Sequence, residues 1–140
     1  MPRFESRLTP EMIESYTKSG DWGTRTFFDH LSEHADAHPD RESLCDRGER
    51  ITYGALRERI DRVDAKLQEL GIGRGDVVTI QLPNWIAFAC TFFAVERIGG
   101  IANQINPDFR SAEVDYILRF SESTAYVCPE SFRDFDYLEM

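Results

Sequence analysis

The chain has 140 residues and a formal net charge of −9, from 16 Lys and Arg against 25 Asp and Glu. This acidic balance argues against a nucleic-acid partner, because binding phosphates needs clustered Lys and Arg and the sequence contains no basic run. The apolar share of 41% is that of a globular protein, and the length suffices for one hydrophobic core. The composition therefore predicts an ordered unit that does not bind nucleic acid.

The sequence contains no predicted membrane span or signal peptide. The apolar stretch from Trp85 to Val95 has only eleven residues, whereas a transmembrane helix needs about 20. The cysteines Cys45, Cys90 and Cys128 are far apart and fit no metal-binding spacing, so we expect small buried side chains. Together these features predict a cytoplasmic protein.

The first part of the chain predicts little regular structure. Residues 1–23 mix Pro, Gly, Ser and charges. Apart from a short turn around Met12 to Tyr16, we expect an irregular lead-in that lies on the surface. After it, Thr24 or Thr26 is placed to cap a helix that ends before Pro39. The inner face of this helix would carry four apolar side chains, Phe27, Phe28, Leu31 and Ala35.

A short hairpin and an amphipathic helix are predicted next. The segments Glu42 to Asp46 and Arg50 to Tyr53 flank a glycine turn, as the two strands of a β-hairpin do. From Gly54 to Leu70 the apolar residues recur at steps of three and four, which is the period of a helix with one buried face. These apolar positions are Leu56, Ile60, Val63, Leu67 and Leu70.

The rest of the chain alternates helices with strands. Apolar runs at 77–82, 101–105 and 125–128 predict strands, and the segments between them predict helices capped by Asn84 and Ser111. Such alternation implies parallel crossovers in a layered, mostly parallel α/β sheet. Four further apolar residues have no predicted element to pack against, so we expect the fold to be incomplete. They are Phe132, Phe135, Tyr137 and Leu138.

A glycine-rich segment and two carboxylates are candidates for a site by residue type. The glycines of Gly71 to Gly75 suggest a phosphate-binding loop, but such loops follow a strand and open a helix, whereas this segment does the reverse. We therefore predict a structural turn. Asp76 and Glu96 are acid/base candidates by type only, and their positions predict a turn residue and a helix-end charge.

A histidine motif lies within the first predicted helix. His30-Leu31-Ser32-Glu33-His34 has the H-x-x-E-H order of an inverted zinc-protease signature, and His38 continues the four-residue step. Two imidazoles at i and i+4 can share a metal ion, so His30 and His34 are candidate ligands of a metal-dependent hydrolase. No third ligand is identifiable, and the nearby acidic residues are typical of a solvated helix face.

Six short motifs stand in a fixed order along the middle of the chain. They are Ile51-Thr52-Tyr53-Gly54-Ala55-Leu56, Leu67 to Gly71, Arg74-Gly75-Asp76-Val77-Val78, Leu82-Pro83-Asn84, Ala94-Val95-Glu96-Arg97-Ile98-Gly99-Gly100 and Asn106-Pro107. In order and in gaps the set resembles the N-terminal region of the adenylate-forming, AMP-binding acyl-CoA synthetases. The resemblance covers residues 24–140, which would form a truncated part of the large N-terminal domain of such an enzyme.

Later residues narrow the resemblance. Asn106-Pro107-Asp108-Phe109-Arg110 with Glu113, then Val127-Cys128-Pro129 and residues 132–136, are similar to cyclohexanecarboxylate-CoA ligase and related acyl-CoA ligases. Gln104 departs from this pattern, because many relatives carry proline before the Asn-Pro pair. The departure concerns the subgroup and leaves the wider resemblance intact.

The resemblance implies a ligase that joins a carboxylic acid to CoA in two steps. The carboxylate attacks ATP to give acyl-adenylate and pyrophosphate, and the CoA thiol then displaces AMP. The family's phosphate loop, its Mg²⁺ and nucleotide contacts and its catalytic Lys lie downstream of Met140, so we expect no catalytic, cofactor-binding or metal-binding residue here and no activity from this chain alone. Thr52-Tyr53, Asp76, Asn84 and Asn106-Pro107 match family positions that hold turns and helix starts.

The resemblance also defines the expected partners and the rival functions. The intact enzyme would use a carboxylic acid, ATP, Mg²⁺ and CoA, and the remainder of its domain would pack against this chain. The first alternative is a stand-alone α/β binding module without catalysis. The second is the metal-dependent hydrolase that His30 and His34 suggest.

Overall fold

The computed structural model describes residues 7–140. Its helices are α1 (Pro10–Ser19), α2 (Phe27–Ala37), α3 (Tyr53–Glu69), α4 (Ile86–Arg97) and α5 (Ser111–Phe120). Its strands are β1 (Glu42–Asp46), β2 (Glu49–Thr52), β3 (Val77–Ile80), β4 (Ile101–Gln104), β5 (Ala125–Val127), β6 (Ser131–Phe132) and β7 (Phe135–Asp136). The α/β class and the short hairpin near the N-terminus, both predicted from the sequence, are confirmed.

A parallel sheet of order β4-β3-β5 forms the centre of the molecule. Every residue of β3 is buried. Val78 lies opposite Ala102 on β4 and Ala125 on β5. Because successive strand residues point to opposite faces, Val78 and Ile80 pack with the helices while Thr79 faces the other side of the sheet.

Helices α3 and α4 cover one face of this sheet. The buried apolar residues of α3 are Leu56, Ile60 and Leu67, at the predicted spacing. Of the other two predicted positions, Val63 is half-buried against the core, and Leu70 follows the helix and is 64% exposed. In α4 the apolar stretch is long enough to bury Ile86, Cys90, Ala94 and Val95. None of the helices within residues 7–140 is long and apolar enough to cross a membrane.

Helix α2 is capped by Thr26, one of the two residues predicted for this role. The Thr26 hydroxyl accepts a hydrogen bond from the Asp29 N–H at 3.1 Å, and the Asp29 carboxylate accepts one from the Thr26 N–H at 2.7 Å. This reciprocal pair is a capping box. The bonds from Thr26 lower the pKa of Asp29. The helix ends at Ala37, ahead of Pro39, because proline cannot continue it.

The prediction of an irregular lead-in over residues 1–23 is wrong for Pro10–Ser19, which form helix α1. Residues 1–6 lie outside the described part of the chain. The Thr9 hydroxyl accepts a hydrogen bond from the Met12 N–H at 3.3 Å, and Gly20 ends the helix at φ +81°. None of its residues is buried. Its apolar residues Met12, Ile13 and Tyr16 fall on one side of the helix, but the stretch is short and does not reach the core.

The cap of α4 comes from the hairpin and not from Asn84. Asn84 is exposed, and the helix begins after Trp85 without a side-chain cap from its own segment. Instead, the Ile86 N–H donates to the Asp46 carboxylate at 3.3 Å. The predicted Asn84 cap is therefore wrong, because the first N–H of the helix is bonded by a carboxylate from a distant strand.

The predicted Ser111 cap is also wrong. The residue that precedes α5 is Arg110, whose N–H donates to the Glu113 carboxylate at 3.1 Å. Hydrogen bonds from the N–H groups of Glu113 and Arg110 lower the pKa of this carboxyl. The Glu113 carboxylate in the first turn thus bonds the N–H that precedes the helix, and Ser111 is the first residue of the helix itself.

The apolar residues at the C-terminus fold back as a hairpin. The Phe132 ring meets Trp85 edge-on at 5.7 Å, and Phe135 meets Tyr137 edge-on at 5.1 Å. Tyr137 is only 3% exposed, whereas Leu138 is 70% exposed. The expectation that this segment lacks packing partners is therefore wrong for all but Leu138.

The three cysteines differ in environment. Cys90 is buried, Cys128 is half-buried and Cys45 is exposed, and all three are free thiols. Burial raises the pKa of Cys90 and of Cys128. The buried environment predicted for all three is confirmed for Cys90 and wrong for Cys45, which lies on a hairpin strand with an exposed face.

Glu96 joins α4 to the start of α2. Its carboxylate accepts hydrogen bonds from the N–H groups of Phe27 at 2.7 Å and Phe28 at 3.1 Å. A negative charge at this point also interacts favourably with the positive end of the helix dipole. Its neighbour Arg97 forms ion pairs with Asp61 and Asp64 of α3. The helix-end charge predicted for Glu96 is therefore a cap for another helix.

Replacing Glu96 with Ala removes both acceptors. We expect the free energy of unfolding to fall by about 1–2 kcal/mol, the usual cost of losing a helix cap. Urea denaturation followed by circular dichroism measures the change. Glu58→Ala, on the exposed face of α3, is the matched control and should shift stability by less than about 0.5 kcal/mol. Equal stability of the Glu96→Ala and wild-type proteins would contradict the capping role.

Candidate functional site

A cleft at the carboxyl ends of the parallel strands is the candidate functional site. Ligands of open α/β sheets bind where the loops that follow the strands meet. Here the loops after β3 and β4, with the end of β1 and the C-terminal hairpin, enclose a volume of about 460 Å³. The lining residues are Asp46, Pro83, Asn84, Trp85, Asn106, Pro107, Asp108, Phe132 and Arg133.

The buried amide of Gln81 holds one wall of this cleft. Gln81 follows β3 directly, is fully buried, and donates to the carbonyl oxygens of Asn106 at 2.9 Å and Phe109 at 3.0 Å. Its own oxygen accepts a hydrogen bond from the Tyr126 hydroxyl on β5. Burial raises the pKa of Tyr126, so the phenol stays protonated and donates. Because a buried amide is costly unless paired, these bonds fix the loop after β4.

The carbonyl oxygen of Pro107 is a second anchor of the same loop. It accepts hydrogen bonds from the Tyr137 hydroxyl at 2.6 Å and from the Arg110 guanidinium at 3.0 Å. That guanidinium also lies 4.0 Å from the ring centre of Phe135. The C-terminal hairpin therefore supports the Asn-Pro turn.

The opposite wall of the cleft is aromatic, and positively and negatively charged side chains lie at the opening of the cleft. The Arg47 guanidinium lies 4.0 Å from the ring centre of Trp85, which stacks edge-on with Phe132. Arg133 pairs with Asp108 at 3.1 Å. Such a surface can hold a planar or polar group by ring contacts and hydrogen bonds.

The only acid–base groups among the lining residues are two carboxylates, Asp46 and Asp108. The lining residues include no His, Lys, Cys, Ser or Thr, so no nucleophile lies beside a base. Asp46 accepts the Ile86 N–H, and Asp108 is paired with Arg133. Both carboxylates of the cleft are therefore bonded to other groups of the chain. The absence of catalytic residues from the chain stays a prediction.

The glycine-rich segment lies before β3, at the end of the sheet away from the cleft. The Gly73 N–H donates to the Asp76 carboxylate at 2.9 Å, and the Thr124 hydroxyl donates to it at 3.2 Å. Gly75 has φ +83°, a conformation that favours glycine. The structural turn predicted here is what forms, and Asp76 closes it.

The histidine motif forms an exposed helix face in α2. The His34 ring lies 5.8 Å from the ring of Tyr53, and Glu33 pairs with Arg25 at 2.5 Å. Within residues 7–140 no group of three or more His, Cys, Asp or Glu side chains is placed to hold a metal ion. His30 and His34 therefore acquire no third ligand from the described residues.

Residues 31–139 match the sequence model of one protein family, described as AMP-binding enzyme. The matched span contains the parallel sheet, its helical layer and the cleft. The chain belongs to the AMP-binding enzyme family. The resemblance to adenylate-forming enzymes that the six motifs indicated is thereby confirmed.

Two curated relatives are AMP ligases by name. The 2,3-dihydroxybenzoate-AMP ligase of Bacillus subtilis is 37% identical over 127 residues, which are 91% of this chain and 24% of that protein. Salicyl-AMP ligase / salicyl-S-ArCP synthetase of Mycobacterium tuberculosis is 38% identical over 131 residues, covering 90% of this chain and 23% of that protein. The chain thus spans about a quarter of the length of these relatives.

A solved structure shares the fold. The apo structure of MbtA from Mycobacterium smegmatis superposes with a TM-score of 0.77 at 31% identity, and the match covers 86% of this chain and 23% of that one. The layered α/β architecture predicted from the sequence is therefore shared with this solved structure.

The described residues do not fit ATP or Mg²⁺. Phosphates bind where a glycine-rich loop opens a helix, whereas the Gly71–Asp76 turn leads into β3 and directs its Gly73 N–H to its own carboxylate. In residues 7–140 the acidic side chains also form no three-membered metal group. No step with nucleotide or metal is therefore assigned to these residues.

Gln81→Leu tests the support of the cleft. The change leaves two carbonyl oxygens and a buried hydroxyl without their partner, so we expect the free energy of unfolding to fall by about 2–4 kcal/mol. Urea denaturation measures it. Gln104→Leu, at the exposed end of β4, is the matched control and should stay within about 0.5 kcal/mol of wild type. Equal stabilities for the two variants would contradict the anchoring role.

Proposed function

We propose that this chain is part of an adenylate-forming ligase that activates an aryl carboxylic acid with ATP. The observation that carries the proposal is the family match over residues 31–139, together with relatives named for 2,3-dihydroxybenzoate and salicylate at 37% and 38% identity. Both named acids are ortho-hydroxybenzoates. The proposed substrate class is therefore aromatic, in place of the alicyclic acid that the narrower motif resemblance implied.

The proposed reaction has two steps. A carboxylate oxygen attacks the α-phosphorus of ATP, and the bond to pyrophosphate breaks as the acyl-adenylate forms. A thiol then attacks the acyl carbonyl, loses its proton, and AMP leaves. Mg²⁺ supplies charge stabilisation on the phosphates in such a transfer. These groups belong to the intact enzyme.

The proposed role of this chain within the enzyme is structural. Three of the residues at family positions, Thr52, Asp76 and Asn106, make local bonds that begin a helix or close a turn. The Thr52 hydroxyl accepts a hydrogen bond from the Ala55 N–H at 3.2 Å at the start of α3, and the Asn106 side chain accepts one from the Asp108 N–H at 2.8 Å. We propose that the catalytic and nucleotide-binding groups lie in the rest of the enzyme, and that this chain alone is inactive.

The acceptor and the location complete the proposal. The motifs imply CoA as acceptor, and a carrier-protein thiol is the second candidate because one relative is named salicyl-S-ArCP synthetase. The three cysteines are free thiols, which supports a reducing cytoplasm.

A stand-alone binding module is the second candidate function. Every buried side-chain nitrogen and oxygen in the described part of the chain has a hydrogen-bond partner. The chain therefore satisfies its own buried polar side chains, as an independent module would. As a stand-alone module, the isolated chain would bind a small molecule in the cleft. As part of a ligase, the isolated chain would not bind one there.

The intact enzyme that contains this segment should catalyse ATP–pyrophosphate exchange. We expect exchange with salicylate or 2,3-dihydroxybenzoate and slower exchange with cyclohexanecarboxylate, because the relatives are named for aryl acids. Thioester formation with CoA or with an aryl carrier protein then identifies the acceptor. The absence of exchange with every acid would sink the ligase proposal.

A graft tests the structural role of the segment itself. Placing these 140 residues in the corresponding part of the Bacillus subtilis ligase should leave its acid preference unchanged and its exchange rate within about tenfold, a barrier change of about 1.4 kcal/mol. The unmodified ligase is the control, and thermal unfolding shows whether the graft is folded. A folded graft with a new preferred acid would show that this segment selects substrate.

A further inference from the structure

The C-terminal hairpin contributes two residues, Phe132 and Arg133, to the lining of the cleft. Its strands β6 and β7 have only two residues each. A two-stranded hairpin of this size is marginally stable unless other parts of the protein hold it. The position of this part of the cleft therefore depends on what the hairpin contacts.

The turn end of the hairpin meets the cleft through contacts that are individually weak. The Phe132 ring lies edge-on to Trp85, with 5.7 Å between the ring centres. Arg133 pairs with Asp108 at 3.1 Å, but the two side chains are 67% and 56% exposed. A single ring contact and an exposed ion pair each stabilise a protein only slightly.

The other end of the hairpin is firmly anchored. Tyr137 is 3% exposed, its hydroxyl donates to the Pro107 carbonyl oxygen at 2.6 Å, and its N–H donates to the Glu130 carbonyl oxygen at 3.0 Å. Phe135 lies 4.0 Å from the guanidinium of Arg110. These contacts involve neither Phe132 nor the turn, so they can persist when the turn end moves.

The turn between β6 and β7 is strained. Because Phe132 pairs with Phe135, the turn has two central residues, Arg133 and Asp134, and their φ angles are +51° and +60°. Two-residue turns with positive φ at both positions are typical of Asn-Gly or Asp-Gly sequences. Arg-Asp in this conformation costs free energy that is released when the turn unwinds. This cost is of the same order as the contacts that hold the turn end, so an open form lies close in free energy.

We propose that Ser131–Asp134 form a lid at the opening of the cleft, and that this lid opens on the microsecond-to-millisecond timescale while Tyr137 stays anchored. In the open form the turn unwinds, β6 separates from β7, and the Phe132 ring leaves Trp85. Lids of this kind control the entry of ligands and the exclusion of water. The lid would admit a ligand to the cleft whether or not the intact protein is a ligase.

Relaxation-dispersion NMR of the 140-residue chain tests the lid. Trp22→Phe leaves Trp85 as the only tryptophan, which assigns its indole N–H signal. We expect exchange broadening of this signal and of the amide signals of residues 131–134 at one common rate, because movement of the Phe132 ring shifts the indole resonance. Asp134→Gly should lower the open population at least about twofold, since glycine accepts positive φ without strain. Asp134→Val should raise it at least about twofold.

Glu122→Gly is the matched control. Glu122 is also exposed and has φ +51°, but it follows α5 and does not line the cleft. This change should leave the open population at Trp85 unaltered, and circular dichroism shows that each variant stays folded. Four outcomes overturn the proposal: no exchange at Trp85, different rates at Trp85 and in the lid, equal open populations for Asp134→Gly and wild type, and an equal change caused by Glu122→Gly.

Discussion

The two-sided burial of β3 is the constraint on which the rest of the chain depends. Val77–Ile80 lie between two parallel neighbours and are buried throughout. Val78 and Ile80 require an apolar layer, which α3 and α4 supply. Thr79 requires polar partners on the other face, and it has Asn103 at 2.9 Å and Ser123 at 2.5 Å. One short strand therefore determines what both layers must contain.

The apolar and polar faces of β3 continue past the end of the strand, where the cleft forms. Gln81 lies on the Thr79 side and, being buried, must find partners for its amide. It finds them in the carbonyl oxygens of the loop after β4, and the C-terminal hairpin supports that loop through Pro107. The cleft is thus built largely by groups that satisfy one another. The Asn106-Pro107 motif is therefore held in place by the bonds that form this wall of the cleft.

The predictions from sequence were most successful where the signal was local and periodic. The α3 helix, the glycine stops and the order of strands follow from spacing and turn residues, and all appear in the structure. The cleft was not predicted as a site, although Asn84 and Asn106-Pro107 were singled out as structural. The helix starts at Asn84 and Ser111 were misassigned, because the partners there are Asp46 and Glu113. The missed helix α1 packs no residue into the core, and its apolar residues span only Met12 to Tyr16.

The sequence by itself determined the α/β class, the family and the order of the main elements, because caps, turns and apolar periods act over a few residues. Only the tertiary structure decided which groups meet. Glu96 caps a helix 69 residues earlier, Asp46 caps one 40 residues later, and Gln81 anchors a loop 25 residues away. Hydrogen bonds depend on distance in space, and distance in space between such residues is set only when the sheet and its layers have assembled.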